Sequence, residues 1–324
     1  MKRNRYSFHD LYPDAGSFLD EVIAGLSQPR KELSPKYFYD ARGCELFDAI
    51  CELPEYYPTR TEMAMMQSHA VEMVQHLGPG SILIEYGSGN SRKTHVLIEA
   101  LQPVAYVPVD IAGAQVKASA VRLTAAFPEL TVIAVCADYS KPLELPEIDG
   151  IAARRRVIYF PGSTIGNFTV PEALEFLGYA RVLAGAGGAM LVGVDLKKDR
   201  ALLDAAYNDA QGVTAEFNLN LLRRINRELG ANFDLARFRH HAFYNAAAGR
   251  IEMHLKSLCQ QHVALGGHIF RFDQGETIHT ENSYKYSVDE FRQLARQAGF
   301  DAVHCWIDPR QLFSVHYLAV PRQQ

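Results

Sequence analysis

The chain is short of several things, and each shortage narrows what it can be. It has one tryptophan and five cysteines in 324 residues. The cysteines, Cys44, Cys51, Cys136, Cys259 and Cys305, are odd in number, scattered and never spaced Cys-x-x-Cys. That spacing suggests neither a disulfide framework nor a thiolate zinc site, and predicts ordinary reduced thiols. No apolar run approaches the roughly 20 residues a membrane span needs. The opening stretch "MKRNRYSFHDLYPD" also lacks the apolar core of a signal peptide, so a soluble, cytoplasmic protein with no membrane partner is expected. No long basic run breaks the balance of 33 Lys and Arg against 37 Asp and Glu, a net charge of −4. A small-molecule partner is therefore expected, and no nucleic acid. Of the twelve histidines, His240 and His241 are adjacent and no His-x-x-x-His falls in a helical stretch, so no metal is expected. With no evident apolar seam, the expected state is a monomer.

What is present is a rhythm. From residue 81 the short apolar runs "SILIEY", "AYVPVD", "TVIAVCAD", "RRVIYF" and "AMLVGVD" recur, the first three separated by amphipathic helical stretches. Nearly continuous apolar runs of this length are what parallel strands covered on both faces look like, which predicts a doubly wound α/β domain. After Asp195 the rhythm changes to two helical stretches, "RALLDAAYNDAQ" and "TAEFNLNLLRRINRELG", then to strand-like "RIEMHLKSL", "HVALGG" and "HIFRF". An inserted α+β piece accounts for this better than more of the same sheet. The end, "VDEFRQLARQAGFDAVHCWID" and "FSVHYLAV", reads as a helix and two strands suited to an antiparallel edge on the first sheet. The larger domain is then discontinuous.

"IEYGSGNSRKT" places Gly87 and Gly89 where the first of these strands turns into a helix, where backbone passes close to a ligand. A dinucleotide fingerprint or a P-loop would want glycine at position 92, and the chain has Arg92. An S-adenosylmethionine (SAM) site asks for less: an acid before the Gly-x-Gly turn and another at the end of the next strand. Glu85 and Asp110 stand there. Lys93, a cation in the first helical turn, opposes the helix dipole and calls for an anionic neighbour, such as the carboxylate of a bound cofactor. Asp138 and Tyr139, after the third strand, stand at a depth to touch an adenine, although Asp138 alone reads equally as a turn former. A plain strand-to-helix turn with an exposed lysine is the alternative for the whole loop.

"FPGSTIGNFTVPE" ends the fourth strand in small residues, including Gly162, which leave room for a substrate at the carboxyl edge of the sheet. Thr169 and Glu172 have capping-box spacing for the next helix, so Asn167 is not needed as a cap and can face a pocket. A turn-forming Asn167 is the other reading.

Five stretches together, "YFYDARGCELFDAICELPEYYPTRTE", "EYGSGNSRKT", "FPGSTIGNF", "AYNDAQGVTAEFN" and "RIEMHL", resemble the histidine Nα-methyltransferases of ergothioneine biosynthesis along nearly the whole chain. The resemblance implies a class I Rossmann-like SAM methyltransferase sheet (residues 61–196 and 287–324) and an α+β substrate-binding domain (1–60 and 197–286). It implies three successive methyl transfers from SAM to L-histidine and its mono- and dimethyl forms. By matched positions, Gly87, Lys93, Asp110, Asp138 and Tyr139 would contact the cofactor. Tyr56, Gly162, Asn167, Tyr207, Met253, Glu281, Asn282 and Ser283 would hold the amino acid, with Asn167 and Tyr39 nearest the chemistry. Glu281 and Met253 are the residue types of the members acting on histidine, whereas Tyr86, Asn282 and Tyr284 depart from the family pattern. A P-loop kinase or ATPase, a non-catalytic sensor and a methyltransferase of another amino acid are the competing readings.

Overall fold

The computed structural model describes residues 5–11, 16–89, 92–146 and 154–322. In chain order the first elements are β1 (Tyr6–Asp10), α1 (Gly16–Ser27), α2 (Ala41–Glu52), α3 (Tyr57–Leu77), β2 (Ile82–Tyr86), α4 (Arg92–Leu101), β3 (Ala105–Asp110) and α5 (Gly113–Ala126). Then come β4 (Thr131–Cys136), β5 (Arg156–Phe160), α6 (Val170–Ala184), β6 (Ala189–Asp195), α7 (Arg200–Ala206) and α8 (Val213–Leu229). The chain closes with β7 (Phe238–Asn245), β8 (Arg250–Ser257), β9 (Gln261–Leu265), β10 (His268–Phe272), β11 (Thr277–Tyr284), α9 (Val288–Gln297), β12 (Asp301–Ile307) and β13 (Phe313–Ala319). Among the described residues, no helix is long and apolar enough to cross a membrane.

Two compact units divide the chain: Met1–Tyr12, Pro58–Lys197 and Lys285–Gln324 form the first, Pro13–Tyr57 and Lys198–Tyr284 the second. In the first unit eight strands lie in the order β1-β4-β3-β2-β5-β6-β13-β12. The first six are parallel, and β13 and β12 add the antiparallel edge. This is the doubly wound sheet that the apolar runs predict. Every residue of β2 and β6 is buried, as strands covered on both faces must be. Leu83, Tyr106, Val132, Val157 and Leu191 join Met66, Leu97 and Leu123 of the flanking helices in one core. One element differs from expectation. β1 pairs in parallel with β4, so the N-terminal strand belongs to the sheet unit rather than with the residues up to 60. Five half-polar residues, "YSFHD", carry too short an alternation to announce a strand.

The second unit is built on the antiparallel sheet β11-β8-β7, with a β9–β10 hairpin beside it. Ile251, Met253 and Leu255 alternate along β8 as buried residues, while the amphipathic α8 buries Phe217, Leu221, Leu222 and Ile225. The sequence signals β8, β9 and β10 but not β7 and β11, whose largely polar "FRHHAFYN" and "TIHTENSY" hide the period of two; their pairing with β8 supplies what composition does not.

Candidate active site

The first unit assembles the expected cofactor residues at the carboxyl ends of β2, β3 and β4. β2 runs directly into Gly87, whose φ of +69° favours glycine, and a Cβ there would lie in ordinary contact, 3.6 Å from the Tyr139 hydroxyl. Tyr139 stacks on Tyr86, with ring centroids 5.5 Å apart, and packs edge-on against Phe160 at 5.8 Å. Asp110, at the end of β3, accepts from the Gly89 N–H at 3.1 Å and the Ala112 N–H at 2.9 Å, so it ties the glycine loop to the next strand. Burial raises the pKa of its carboxyl, partly offset by these backbone donors. Asp138 accepts from the Ser140 N–H at 3.1 Å, as a turn former does. Glu85 sits beneath the loop, accepting from the Thr94 and Tyr106 hydroxyls, and burial pushes its pKa up to about 8.

Lys93 and Gly162 meet through a residue that sequence reasoning missed. Glu62, on α3 and with no exposed surface, accepts from the Lys93 ammonium and, at 2.8 Å, from the Gly162 N–H. The anion compensating Lys93 is thus in the chain itself, and the helix-dipole argument for an external anion loses its force. No local pattern marks Glu62; only its approach to β6 does, where a Cβ on Gly193 would fall 2.2 Å from Glu62 Oε1. Gly162 has φ +78° and Ser163 φ +58°, and Ser163 Oγ accepts from the Asp195 N–H at 2.9 Å. This pins the loop that leads through a 3-10 turn, Thr164–Asn167, into α6. Glu172 accepts from the Thr169 N–H and hydroxyl, both at 2.7 Å, so α6 begins at Thr169 without help from Asn167. Among the described residues the half-buried Asn167 amide makes no hydrogen bond.

In the second unit, Tyr56 and Tyr207 meet edge to face at 6.3 Å, and the Tyr207 hydroxyl donates to Ser283 Oγ at 2.7 Å. Phe47 of α2 lies edge-on to Tyr39 at 5.7 Å and to Tyr56 at 6.4 Å, while Phe217 of α8 lies 5.9 Å from Tyr39. Phe47 and Phe217 are further missed members, legible in hindsight only as apolar positions of amphipathic helices. Burial pushes the Tyr56 hydroxyl well above its ordinary pKa, with Tyr207, Cys51, Glu281 and Tyr39 adding to the rise. β11 carries an irregularity between His279 and Glu281, after which Glu281 pairs with Met253 and Ser283 with Ile251. Glu281 and Ser283 therefore share the face of Met253, which is buried. Asn282 pairs with Glu252 and points its side chain to the other face, so the structure does not bring that side chain to the set.

Set beside known proteins, residues 18–320 match the family model described as "Histidine-specific methyltransferase, SAM-dependent". The chain is 39% identical over 296 residues to the histidine N-alpha-methyltransferase of Mycolicibacterium smegmatis, covering 89% of this chain and 90% of that one. Identity to the enzyme of the same name from Mycobacterium tuberculosis is 39% over 307 residues, with 92% and 94% covered. It is 30% to ergothioneine biosynthesis protein 1 of Neurospora crassa, covering 94% of this chain but 35% of that longer protein. The chain belongs to the SAM-dependent, histidine-specific methyltransferase family.

Proposed function

We propose that the protein transfers three methyl groups in succession from SAM to the α-nitrogen of L-histidine, giving trimethylhistidine, the first step of ergothioneine biosynthesis. The observation that carries the substrate is the pairing of Glu281 with Met253, on one strand face with Ser283 and beside Tyr207 and Tyr56. It combines an anion for an imidazole N–H, hydroxyls for polar groups and aromatic walls for the rest.

The residues of the first unit fit SAM. Gly87 leaves backbone bare beside the Tyr139 ring, and Asp110 offers a carboxylate at the end of the next strand. Gly87, Lys93, Asp110, Asp138 and Tyr139 would hold it, and bound there it supplies an electrophilic methyl carbon on a sulfonium. The chain's part is alignment, and fixing the amine against that carbon can contribute roughly 7–11 kcal/mol. Asn167 orients the amino group through its side-chain carbonyl, with Gly162 leaving space beside it. Tyr39 and Tyr56 face a nitrogen that ends as a quaternary ammonium, which aromatic rings attract. The hydroxyls of Tyr207 and Ser283 and the carboxylate of Glu281 fix the rest of the amino acid without placing a negative charge on the reacting amine.

A cytoplasmic monomer is part of the same proposal, tested by the elution volume of the purified protein. The central experiment incubates the protein with SAM and the twenty amino acids and reads the products by mass spectrometry. Histidine gaining up to three methyl groups on its α-nitrogen is expected; methylation of a different amino acid would remove the roles given to Glu281 and Met253, and no methylation would remove the proposal.

A further inference from the structure

We propose that Glu72, His76 and His304 form a binding site for one divalent cation of the zinc or copper class, in the sheet unit and apart from the residues assigned to SAM or histidine. Glu72 and His76 stand four residues apart on α3 and project from one helix face. This is the helical spacing of a two-ligand metal pair, with a carboxylate in one of the places. A search for His-x-x-x-His passes over it. The third ligand comes from the far end of the chain, on the edge strand β12. One ligand atom from each of the three lies within 4.8 Å of the others, and Glu72 Oε1 is 3.5 Å from His304 Nε2. Zinc bonds of about 2.0–2.2 Å to nitrogen and oxygen set ligand atoms roughly 3.3 Å apart. Side-chain rotation closes that difference.

Two observations favour a cation over a set of surface ion pairs. The carboxylate is already oriented, because Trp306 Nε1 donates to Glu72 Oε2 at 2.8 Å, the kind of outer hydrogen bond that steers a ligating carboxylate. The two imidazoles are also brought together, with ring centroids 5.1 Å apart, and Trp306 packs 4.5 Å from His304 to hold that ring in place. All three ligands are half-buried, which leaves an open position for water. His69 Nδ1 lies 3.6 Å from Glu72 Oε2, the carboxylate oxygen turned away from His304, and is not counted among the ligands. Two imidazoles and a carboxylate suit zinc or copper rather than magnesium or calcium. The comparable trio Glu252, His254 and His279 is unsuited, because Glu252 already accepts from Arg250, Asn245 and His254.

The test is a calorimetric titration of the whole purified protein with zinc chloride, and a titration with copper(II) chloride followed by the fluorescence of Trp306, the one tryptophan in the chain. One zinc per chain and quenching by copper are expected. His304→Ala and Glu72→Gln should each weaken zinc at least about tenfold, while His279→Ala leaves it unchanged. Should Glu72→Gln not fold, His76→Ala takes its place. No zinc bound at millimolar concentration, zinc binding untouched by His304→Ala, or an equal loss in His279→Ala would each overturn the site.

Discussion

Glu281 shows how much a single residue owes to its strand. Its neighbours Asn282 and Ser283 are as polar as it is, and a linear reading puts all three on the substrate. The period of two separates them, turning Glu281 and Ser283 to the side of Met253 and the Asn282 side chain away. We expect Glu281→Ala to weaken histidine binding by about 1.5–3 kcal/mol, the worth of a hydrogen bond to a charged group, with SAM affinity unchanged by calorimetry. Equal loss of both ligands would remove the side-chain role. Asn282→Ala is expected to leave the KM for histidine within about twofold, because its side chain lies on the strand face opposite to Glu281 and Ser283. Lys93 carries the complementary lesson. Its type and place were legible, but its partner Glu62 lies on another helix, and no sequence pattern names a contact made only when α3 crosses the sheet.

At the scale of elements, the parallel strands were legible because burial on both faces writes them as unbroken apolar runs. β1, β7 and β11 were not, because half-exposed strands rely on neighbours that the linear sequence does not identify. β6 illustrates an element tuned to one contact. A Cβ at Gly193 would meet Glu62 Oε1 at 2.2 Å and the Phe313 ring at 3.0 Å. Gly193→Ala should therefore cost about 1–3 kcal/mol, as overpacking in a core does, and should also weaken SAM by displacing the carboxylate that holds Lys93 and Gly162. An unchanged melting temperature together with unchanged SAM affinity would contradict this. At the start of α6, where the capping box was read correctly, Thr169→Ala should cost about 1 kcal/mol in urea unfolding without altering product distribution.

For the whole molecule, acid stability offers a test that needs no ligand. Burial alone would raise the Glu252 pKa, but hydrogen bonds from Arg250, Asn245 and His254 bring it down to about 2. A carboxylate depressed in the folded state stabilises fully above its unfolded value of about 4.3. That contribution fades as pH falls toward 2. Glu252→Gln should flatten the dependence of unfolding free energy on pH in this window, measured by urea denaturation; a slope equal to that of the unaltered protein would exclude Glu252 as its source. The linear sequence determined the sheet, its interruption by an α+β insertion and the glycine loop, since each is written in local periodicity or in a contiguous motif. Tertiary structure alone decided that β1 joins the sheet, that Glu62 joins Lys93 to Gly162, which of residues 281–283 share a face, and that Glu72, His76 and His304 meet. Those are contacts between segments far apart in the chain, and their energies exist only once the chain has closed around them.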